Sequence, residues 1–210
     1  MNIEEIGDHL PVGLLINHKD GHNSYTNKAS MELLNYTRDE LDILGAKYQY
    51  DIWYDINDFK RINDQIMECY RRNDENEIFS YFQRLKPNGY TGYLWMYVAS
   101  KILKNEEGSS EQRLLVACPV NQMGDMSHKV GRLLDENYYL KKYYKSFAKL
   151  TARERQILGM IAKGFSNPYI SEVLFISRRT VEQHRKNVNK KLGSKTFMEV
   201  IKFAEVFDLV

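Results

Sequence analysis

A strongly basic run with a helix-start signal at one end and a helix-stop signal at the other constrains the fold of this chain most. Ser177 can accept a hydrogen bond from an unpaired amide of a first helical turn, and Gly193 can adopt the left-handed conformation that ends a helix. Between them, apolar residues recur at helical spacing: Val181, Val188 and Leu192. The run therefore predicts a helix with one face, including His184, turned to a small core.

The opposite face of this predicted helix is cationic. Between Arg178 and Lys195, Glu182 is the single acid. The basic residues are Arg178, Arg179, Arg185, Lys186, Lys190, Lys191 and Lys195. Cations release condensed counterions when they meet phosphates, and a helix matches the width of the DNA major groove. The ordinary alternative is a solvated charged face, so the flanking sequence has to decide between the two.

Two further helices are predicted directly upstream. A capping box of Thr151 and Glu154 starts a helix that should end at Gly164. A second, short helix should begin with Asn167 as its cap and Pro168 at the first helical position. Two short helices joined by a tight turn, the second one basic, form the pattern of a helix-turn-helix.

A fourth helix is predicted from Thr196 to Val206, which completes an all-α four-helix domain over residues 150–210. Its expected buried side consists of Val200, Ile201, Phe203 and Ala204. The motifs of the whole region are Leu150-Thr-Ala-Arg-Glu-Arg-Gln-Ile-Leu, Ile161-Ala-Lys-Gly-Phe-Ser-Asn and Ile176-Ser-Arg-Arg-Thr-Val-Glu-Gln-His-Arg-Lys-Asn-Val. Together they resemble the LuxR/FixJ-type DNA-binding domain.

The resemblance implies that the basic helix is a recognition helix in the major groove. By position in the motif, the expected base-contacting residues are Glu182, Gln183 and Lys186. Their carboxylate, carboxamide and ammonium groups suit cytosine, adenine and guanine edges. The expected phosphate-contacting residues, which set register without reading sequence, are Arg178, Arg179, Thr180, Arg185 and Lys190. The family keeps a histidine at the position of His184 for packing.

Charge and composition agree with this division of the chain. Residues 151–210 carry a net charge of +5, whereas residues 1–150 carry −3. Cys69 and Cys118 form no CxxC pair, so neither a disulfide scaffold nor a zinc site is expected. No apolar run could span a bilayer, and the acidic N-terminus is unlike a signal peptide, which predicts a cytoplasmic protein without a membrane partner.

Residues 1–120 are predicted to form an α+β domain with an antiparallel sheet. The expected strands are Val12–Ile16, Ser24–Thr26, Glu77–Leu85, Gly92–Leu103 and Arg113–Val120. Helices should fill the interval between the second and third strands, one capped by Asn27, another by Thr37 with Glu40, and a longer one over Asp58–Tyr70. The third and fourth strands should form a hairpin that the fifth strand extends.

This region resembles a PAS sensory domain. The resemblance lies in Tyr25-Thr-Asn-Lys-Ala-Ser-Met-Glu-Leu-Leu-Asn-Tyr-Thr-Arg-Asp-Glu-Leu, Asp55-Ile-Asn-Asp-Phe and Phe82-Gln-Arg-Leu-Lys-Pro-Asn-Gly-Tyr. It implies a sensor of a small molecule or a partner. The chain lacks the reactive cysteine of a flavin photosensor and a placed haem ligand, so no cofactor and no metal are expected.

Four aromatic residues alternate along two predicted strands and could line a small-molecule pocket: Phe79, Tyr81, Trp95 and Tyr97. The alternative is that they fill the core of the sheet, which is the commoner role for such residues.

Residues 121–149 are predicted to form a connecting helix. Apolar residues follow one another at spacings of three and four, the period of a coiled coil. They are Met123, Met126, Val130, Leu133, Leu140, Tyr144 and Phe147, with Asn137 in an a position. We expect a homodimer seam formed by Val130, Leu133, Asn137, Leu140 and Tyr144. The alternative is a helix whose apolar stripe packs on its own sensory sheet.

The sequence thus predicts a bacterial transcription regulator and no enzyme. A PAS-like domain would sense a small molecule or partner and control a dimeric domain that binds double-stranded DNA and works with RNA polymerase. The alternative function is an interaction module whose basic helix binds RNA polymerase or RNA instead of a DNA operator.

Overall fold

The computed structural model describes residues 3–47, 52–53, 55–124, 127–194 and 196–210. The chain divides into two compact units, Met1–Gly131 and Arg132–Val210. Among the described helices, none has the length and apolar character needed to cross a bilayer.

The N-terminal unit is an α+β structure with its helices concentrated between the second and third strands. Its strands are β1 (Gly13–His18), β2 (Asn23–Thr26), β3 (Phe79–Leu85), β4 (Leu94–Lys104) and β5 (Ser110–Pro119). Its helices are α1 (Ile3–Gly7), α2 (Lys28–Leu34), α3 (Arg38–Leu44) and α4 (Ile56–Arg72), with 3-10 turns at Gly45–Lys47 and Val120–Gln122.

The five strands form one antiparallel sheet in the order β2-β1-β5-β4-β3. The N-terminal and C-terminal strands β1 and β5 therefore lie side by side at its centre. The predicted α+β PAS-like fold is confirmed, and so are the β3–β4 hairpin and its extension by β5.

Local capping explains where the first helices begin. The Asn27 side chain accepts from the Ser30 amide at 3.0 Å and from the Leu14 amide at 2.9 Å, which ties α2 to β1. Thr37 and Glu40 form the predicted reciprocal capping box of α3. Each side chain satisfies an amide that the helix itself leaves free.

The C-terminal unit is helical. It contains α6 (Ala152–Ala162), α7 (Asn167–Val173), α8 (Arg178–Leu192) and α9 (Phe197–Val206), preceded by the greater part of α5 (Ser127–Ala148). The four predicted helices are thus present. One boundary was wrong: Ser166 caps α7, and Asn167 is its first helical residue. The Ser166 hydroxyl, and not the Asn167 side chain, caps the helix, because it accepts a hydrogen bond from the Tyr169 amide at 3.4 Å.

Twelve buried apolar residues close the core of this unit. They are Leu150, Ile157, Leu158, Ile161, Ile170, Leu174, Val181, Val188, Leu192, Val200, Phe203 and Ala204. Ile201, expected with them, is only half-buried. Every helix from α6 to α9 contributes to this cluster, which fixes the position of α8 against the other three.

The connecting helix α5 packs on α9 through aromatic rings. Tyr143 lies edge-on to Phe203 with ring centroids 4.7 Å apart, and Phe147 stacks on Phe207 at 3.9 Å. The Lys202 ammonium lies 4.0 Å from the centre of the Tyr139 ring. Phe147 is therefore engaged within its own chain, although the sequence grouped it with the coiled-coil stripe.

The predicted seam residues lie on another face of α5. Leu133 is 60% exposed, Leu140 37% and Tyr144 64%. Asn137 is also exposed and Val130 half-buried, whereas Met126 of the same stripe falls outside the described residues. Leu133, Leu140 and Tyr144 therefore leave apolar surface exposed on this side of α5.

Candidate functional site: a nucleic-acid interface and a sheet cavity

The basic helix α8 has the terminal bonds that its sequence predicts. The Ser177 hydroxyl accepts from the Thr180 amide at 3.1 Å, and Gly193 ends the helix at φ 68°. Val181, Val188 and Leu192 are buried, and His184 is half-buried on the inner side. Of the other residues of α8, Arg185, Asn187 and Lys191 are half-buried and the rest are exposed.

The three residues expected to contact bases share one exposed stripe of α8. Gln183 and Lys186 lie one and four positions after Glu182, so the three side chains project within about 100° of each other on a helix. In the described part of the chain, the charged ends of Glu182 and Lys186 have no hydrogen-bond or ion-pair partner. The Gln183 amide nitrogen donates to Asn187 Oδ1 at 3.0 Å. The stripe therefore presents both acceptors and donors to solvent.

The residues expected to contact phosphates flank this stripe, with one exception. Arg178, Arg179, Thr180 and Lys190 are exposed. Arg185 is half-buried, and its guanidinium donates to Asn167 Oδ1 at 3.0 Å. Arg185 thereby joins α8 to the beginning of α7, a role that the sequence did not predict.

A second arginine braces the helix-turn-helix from α6. Arg153 donates to the backbone oxygen of Leu174 at 2.8 Å. Leu174 is the residue that ends α7, so the guanidinium satisfies a carbonyl that the helix leaves free. Together, these two arginines fix both ends of α7 relative to its neighbours.

Lys191 is half-buried and forms an ion pair within the domain. Its ammonium donates to Glu154 Oε2 at 2.7 Å, and Glu154 also forms the predicted capping box with Thr151. Burial raises the pKa of the Glu154 carboxyl, but the bonds from Lys191 and Thr151 outweigh it, so the pKa lies below its usual value. Lys191 was predicted as one of the cations of the basic helix. In the structure its charge stabilises the contact between α8 and α6. Lys195, another of the predicted cations, lies outside the described residues.

The second candidate site is a cavity of about 80 Å³ on one face of the N-terminal sheet. Apolar side chains from the sheet and from α2 and α4 form most of its wall, including Leu15, Leu34, Ile66, Met67, Met96, Val98 and Leu115. A cavity that holds one water needs about 10–15 Å³, so this one has room for several waters or for a small ligand.

The four aromatic residues do not form one pocket. Of the four, Tyr81 lines the cavity. Trp95 pairs with Arg84 across the β3–β4 ladder and Tyr97 with Phe82, which places both on the face opposite Tyr81. Phe79 shares the Tyr81 face but packs next to α4, away from the cavity wall. The sequence shows alternation within each strand but not the register between strands.

Polar residues that the sequence analysis did not single out also line this cavity. Arg113, Gln83 and Tyr70 are all more than nine-tenths buried. Burial raises the pKa of Tyr70 to about 12, despite the nearby Arg113 charge, so its hydroxyl stays protonated. The alternation of side chains along the strands could have indicated these residues. Arg113 lies two positions before Leu115, and Gln83 two positions before Leu85, so each polar residue shares the sheet face of a buried leucine.

Comparison with known proteins identifies the helical unit. Residues 148–204 match the family described as bacterial regulatory proteins, luxR family. These residues form a luxR-family domain. The transcriptional regulatory protein MctR of Rhizobium johnstonii is 53% identical over 55 residues, which is 26% of this chain and 26% of MctR. The oxygen regulatory protein NreC of Staphylococcus aureus is 45% identical over 58 residues, 28% of this chain and 27% of NreC.

The match covers about a quarter of the length of each of these curated relatives. At 55 and 58 residues, it is about as long as the luxR-family domain. Similar solved structures include a PAS domain from Colwellia psychrerythraea, at 11% identity and TM-score 0.46, over 55% of this chain and 91% of that chain. A Vibrio cholera VqmA–ligand–DNA complex has 16% identity and TM-score 0.40, over 100% of this chain and 90% of that chain. The fold of the N-terminal unit is established by its own strand order and not by these likenesses.

Proposed function

We propose that this protein is a sequence-specific, DNA-binding transcriptional regulator. The observation that carries the proposal is the exposed stripe of Glu182, Gln183 and Lys186 on a capped helix, flanked by cations. Two of these three side chains have free polar ends in the described structure, so contacting a base costs them no internal bond. The luxR-family domain supports the same function.

We propose further that two copies act together through α5. The luxR-family domain occupies one face of this helix, and Leu133, Leu140 and Tyr144 leave an apolar stripe exposed on another. Exposed apolar surface at coiled-coil spacing favours a second copy of the same helix, and Asn137 would set its register. A dimer presents two α8 helices to two half-sites about one turn of duplex apart.

The N-terminal unit supplies the regulatory input in this proposal. Its cavity could hold a ligand whose binding favours one arrangement of the dimer over another. Such a ligand acts without covalent chemistry, because it need only bind the two arrangements with different affinity.

Selection of duplexes from a random pool by the full-length protein tests the DNA-binding proposal. We expect enrichment of an inverted repeat and binding that weakens steeply with salt. Lys186→Ala should cost about 1–3 kcal/mol at one position of each half-site. Arg178→Ala should instead weaken binding to all sequences equally.

Lys163→Ala is the matched control, because Lys163 is an exposed cation of the same domain at the end of a different helix, α6. It should leave the enriched sequence unchanged. Nonspecific binding with no enriched sequence, or preferential binding to RNA or to RNA polymerase, would contradict the operator proposal.

The seam is tested by Asn137→Leu in the full-length chain. Replacing the amide in an a position removes the residue that specifies register, so oligomer mass or melting temperature should change. Analytical ultracentrifugation and thermal melting measure both. Lys145→Leu, an exposed position that is neither a seam position nor one of the flanking e and g positions of the heptad, is the control. An unchanged mass and melting temperature in Asn137→Leu would show that α5 does not dimerise.

A further inference from the structure

The cavity of the N-terminal unit contains a buried positive charge without a buried negative partner. Arg113 is 8% exposed. Its Nε donates to Asn17 Oδ1 at 3.2 Å, and its Nη1 lies 3.5 Å from the Tyr81 hydroxyl, at the limit of a hydrogen bond. Throughout the described residues, no carboxylate oxygen lies within 4.0 Å of this guanidinium. Both of its bonded neighbours are neutral.

The other buried arginine of this unit has carboxylate partners, as a buried guanidinium usually does. Arg84 is 2% exposed, and its guanidinium lies 2.8 Å from Asp58 and 3.4 Å from Asp55. An arginine side chain cannot lose its proton in a protein, so burial requires a compensating anion. Arg84 has two carboxylates, whereas Arg113 has the open cavity beside it.

Asp74 and Glu77 line a second, smaller cavity together with Arg113, and the Glu77 carboxylate pairs with Arg72. The acids nearest to Arg113 in sequence and on the neighbouring turn are also directed elsewhere. Asp20 is exposed and its carboxylate bonds to the amide and the ring of His22. Glu111 is exposed on the strand β5. A second cation, Lys19, lies at the cavity wall with its ammonium 5.9 Å from the centre of the Tyr70 ring. The cavity thus has positive charge both inside and at its edge.

Two further polar groups in the cavity wall have unmet hydrogen-bonding capacity. Among the described residues, Gln83 Oε1 and the Tyr70 hydroxyl are buried and have no hydrogen-bond partner. A buried polar atom without a partner is costly, and such atoms next to a cavity indicate a missing bound group. Gln83 Oε1 can only accept, so it requires a donor.

We propose that this cavity binds a small carboxylic acid with an apolar body, whose carboxylate pairs with Arg113 and whose hydroxyl or amino group donates to Gln83. The apolar walls of Leu15, Met96 and Val98 would contact the body of the ligand. A guanidinium holds a carboxylate through paired hydrogen bonds, which makes it selective for this group. The inference rests on the proposed sensing function and names the class of molecule sensed.

Melting of the full-length protein without DNA tests this inference. Both tryptophans, Trp53 and Trp95, lie in the N-terminal unit, so tryptophan fluorescence reports its unfolding. The probes are isovalerate, 2-hydroxyisovalerate, benzoate and mandelate, each compared with its primary amide at equal ionic strength. We expect at least one acid to raise the melting temperature by about 3–8 °C, with its amide shifting it far less. The hydroxylated acids should act more strongly than their parents.

Arg113→Met separates a ligand-binding arginine from a structural one. It should abolish the response to acids and, without ligand, raise the melting temperature by roughly 2–8 °C, because an uncompensated buried charge is removed. Arg113→Lys should keep part of the response. Arg71→Gln, which removes an exposed arginine of the same unit, should keep all of it.

Three results would overturn the inference: no shift with any acid, equal shifts with acids and amides, or a lower melting temperature in ligand-free Arg113→Met. Because DNA is absent from this experiment, a failure of the ligand inference is distinguishable from a failure of DNA binding, which duplex selection reports separately.

Discussion

In the luxR-family domain, Ile157, Leu158 and Ile170 are completely buried among other apolar side chains. In the N-terminal unit, the sheet and its helices instead enclose a cavity whose wall includes a buried arginine, glutamine and tyrosine. Close packing gives a fixed shape, whereas a cavity with unmet polar groups lowers stability. The comparison indicates that one unit is built to present a surface and the other to receive a molecule.

The largest expected effect is a difference between two leucine truncations. Leu158→Ala should lower the free energy of unfolding by about 3–5 kcal/mol, because Leu158 is surrounded by packed atoms. Leu15→Ala should cost only about 2–3 kcal/mol, because Leu15 borders existing empty space. Urea unfolding followed by circular dichroism and by tryptophan fluorescence measures both. Equal losses would remove the contrast between the cores.

The next effect concerns the ion pair between buried Glu154 and half-buried Lys191 in the luxR-family domain. Glu154→Gln should cost about 2–4 kcal/mol at neutral pH, because Lys191 loses its charged partner. The pKa of folded Glu154 is lowered, so its stabilisation is present above the ordinary value of 4.5 and lost as pH falls through the folded pKa.

Unfolding measured between pH 3 and pH 7 should therefore show a steeper acid loss for wild type than for Glu154→Gln. Glu172→Gln, at an exposed position of α7, should follow the wild-type profile. Parallel profiles for all three proteins would show that the Glu154–Lys191 pair contributes nothing to acid stability.

Replacing a buried alanine by leucine should lower the free energy of unfolding in one core and not in the other. Ala204→Leu overfills a fully buried site and should cost about 1–3 kcal/mol. Ala117→Leu places its added carbons toward the cavity and should be neutral or stabilise by about 0.5–1 kcal/mol. Thermal melting of each variant measures the difference. A loss in Ala117→Leu as large as in Ala204→Leu would mean that the cavity cannot accept the added side chain.

The smallest effect is a gain. Gln83→Leu removes a buried carboxamide oxygen that lacks a partner and should stabilise the ligand-free N-terminal unit by about 0.5–1.5 kcal/mol. Gln122→Leu, at an exposed position of the same unit, should change little. Tryptophan-monitored urea unfolding compares them. Destabilisation by Gln83→Leu would show that this glutamine already has a structural role.

Local features of the molecule could be predicted from sequence, and non-local ones could not. The caps formed by Ser177, Thr151 and Thr37 depend on bonds to residues three positions later, so their spacing is visible in the sequence. The bond from Arg113 to Asn17 joins residues 96 positions apart and exists only through the β1–β5 register.

The two faces of α5 illustrate a second limit. A spacing of three and four residues marks an apolar stripe but does not say which neighbour covers it. Tyr143 packs against Phe203 of α9, whereas Tyr144 is 64% exposed, because α9 covers only one side of α5. Side chains one position apart on this helix consequently have different environments.

The aromatic attachment of α5 to α9 separates two properties of a DNA target. In the proposed dimer, pairing of α5 sets the distance between the two luxR-family domains, whereas α8 sets which bases each prefers. Substitutions in the exposed stripe of α5 would then alter the spacing of an operator's halves and leave the sequence of each half unchanged. A lineage could therefore acquire new operator spacings and new half-site sequences by independent mutations.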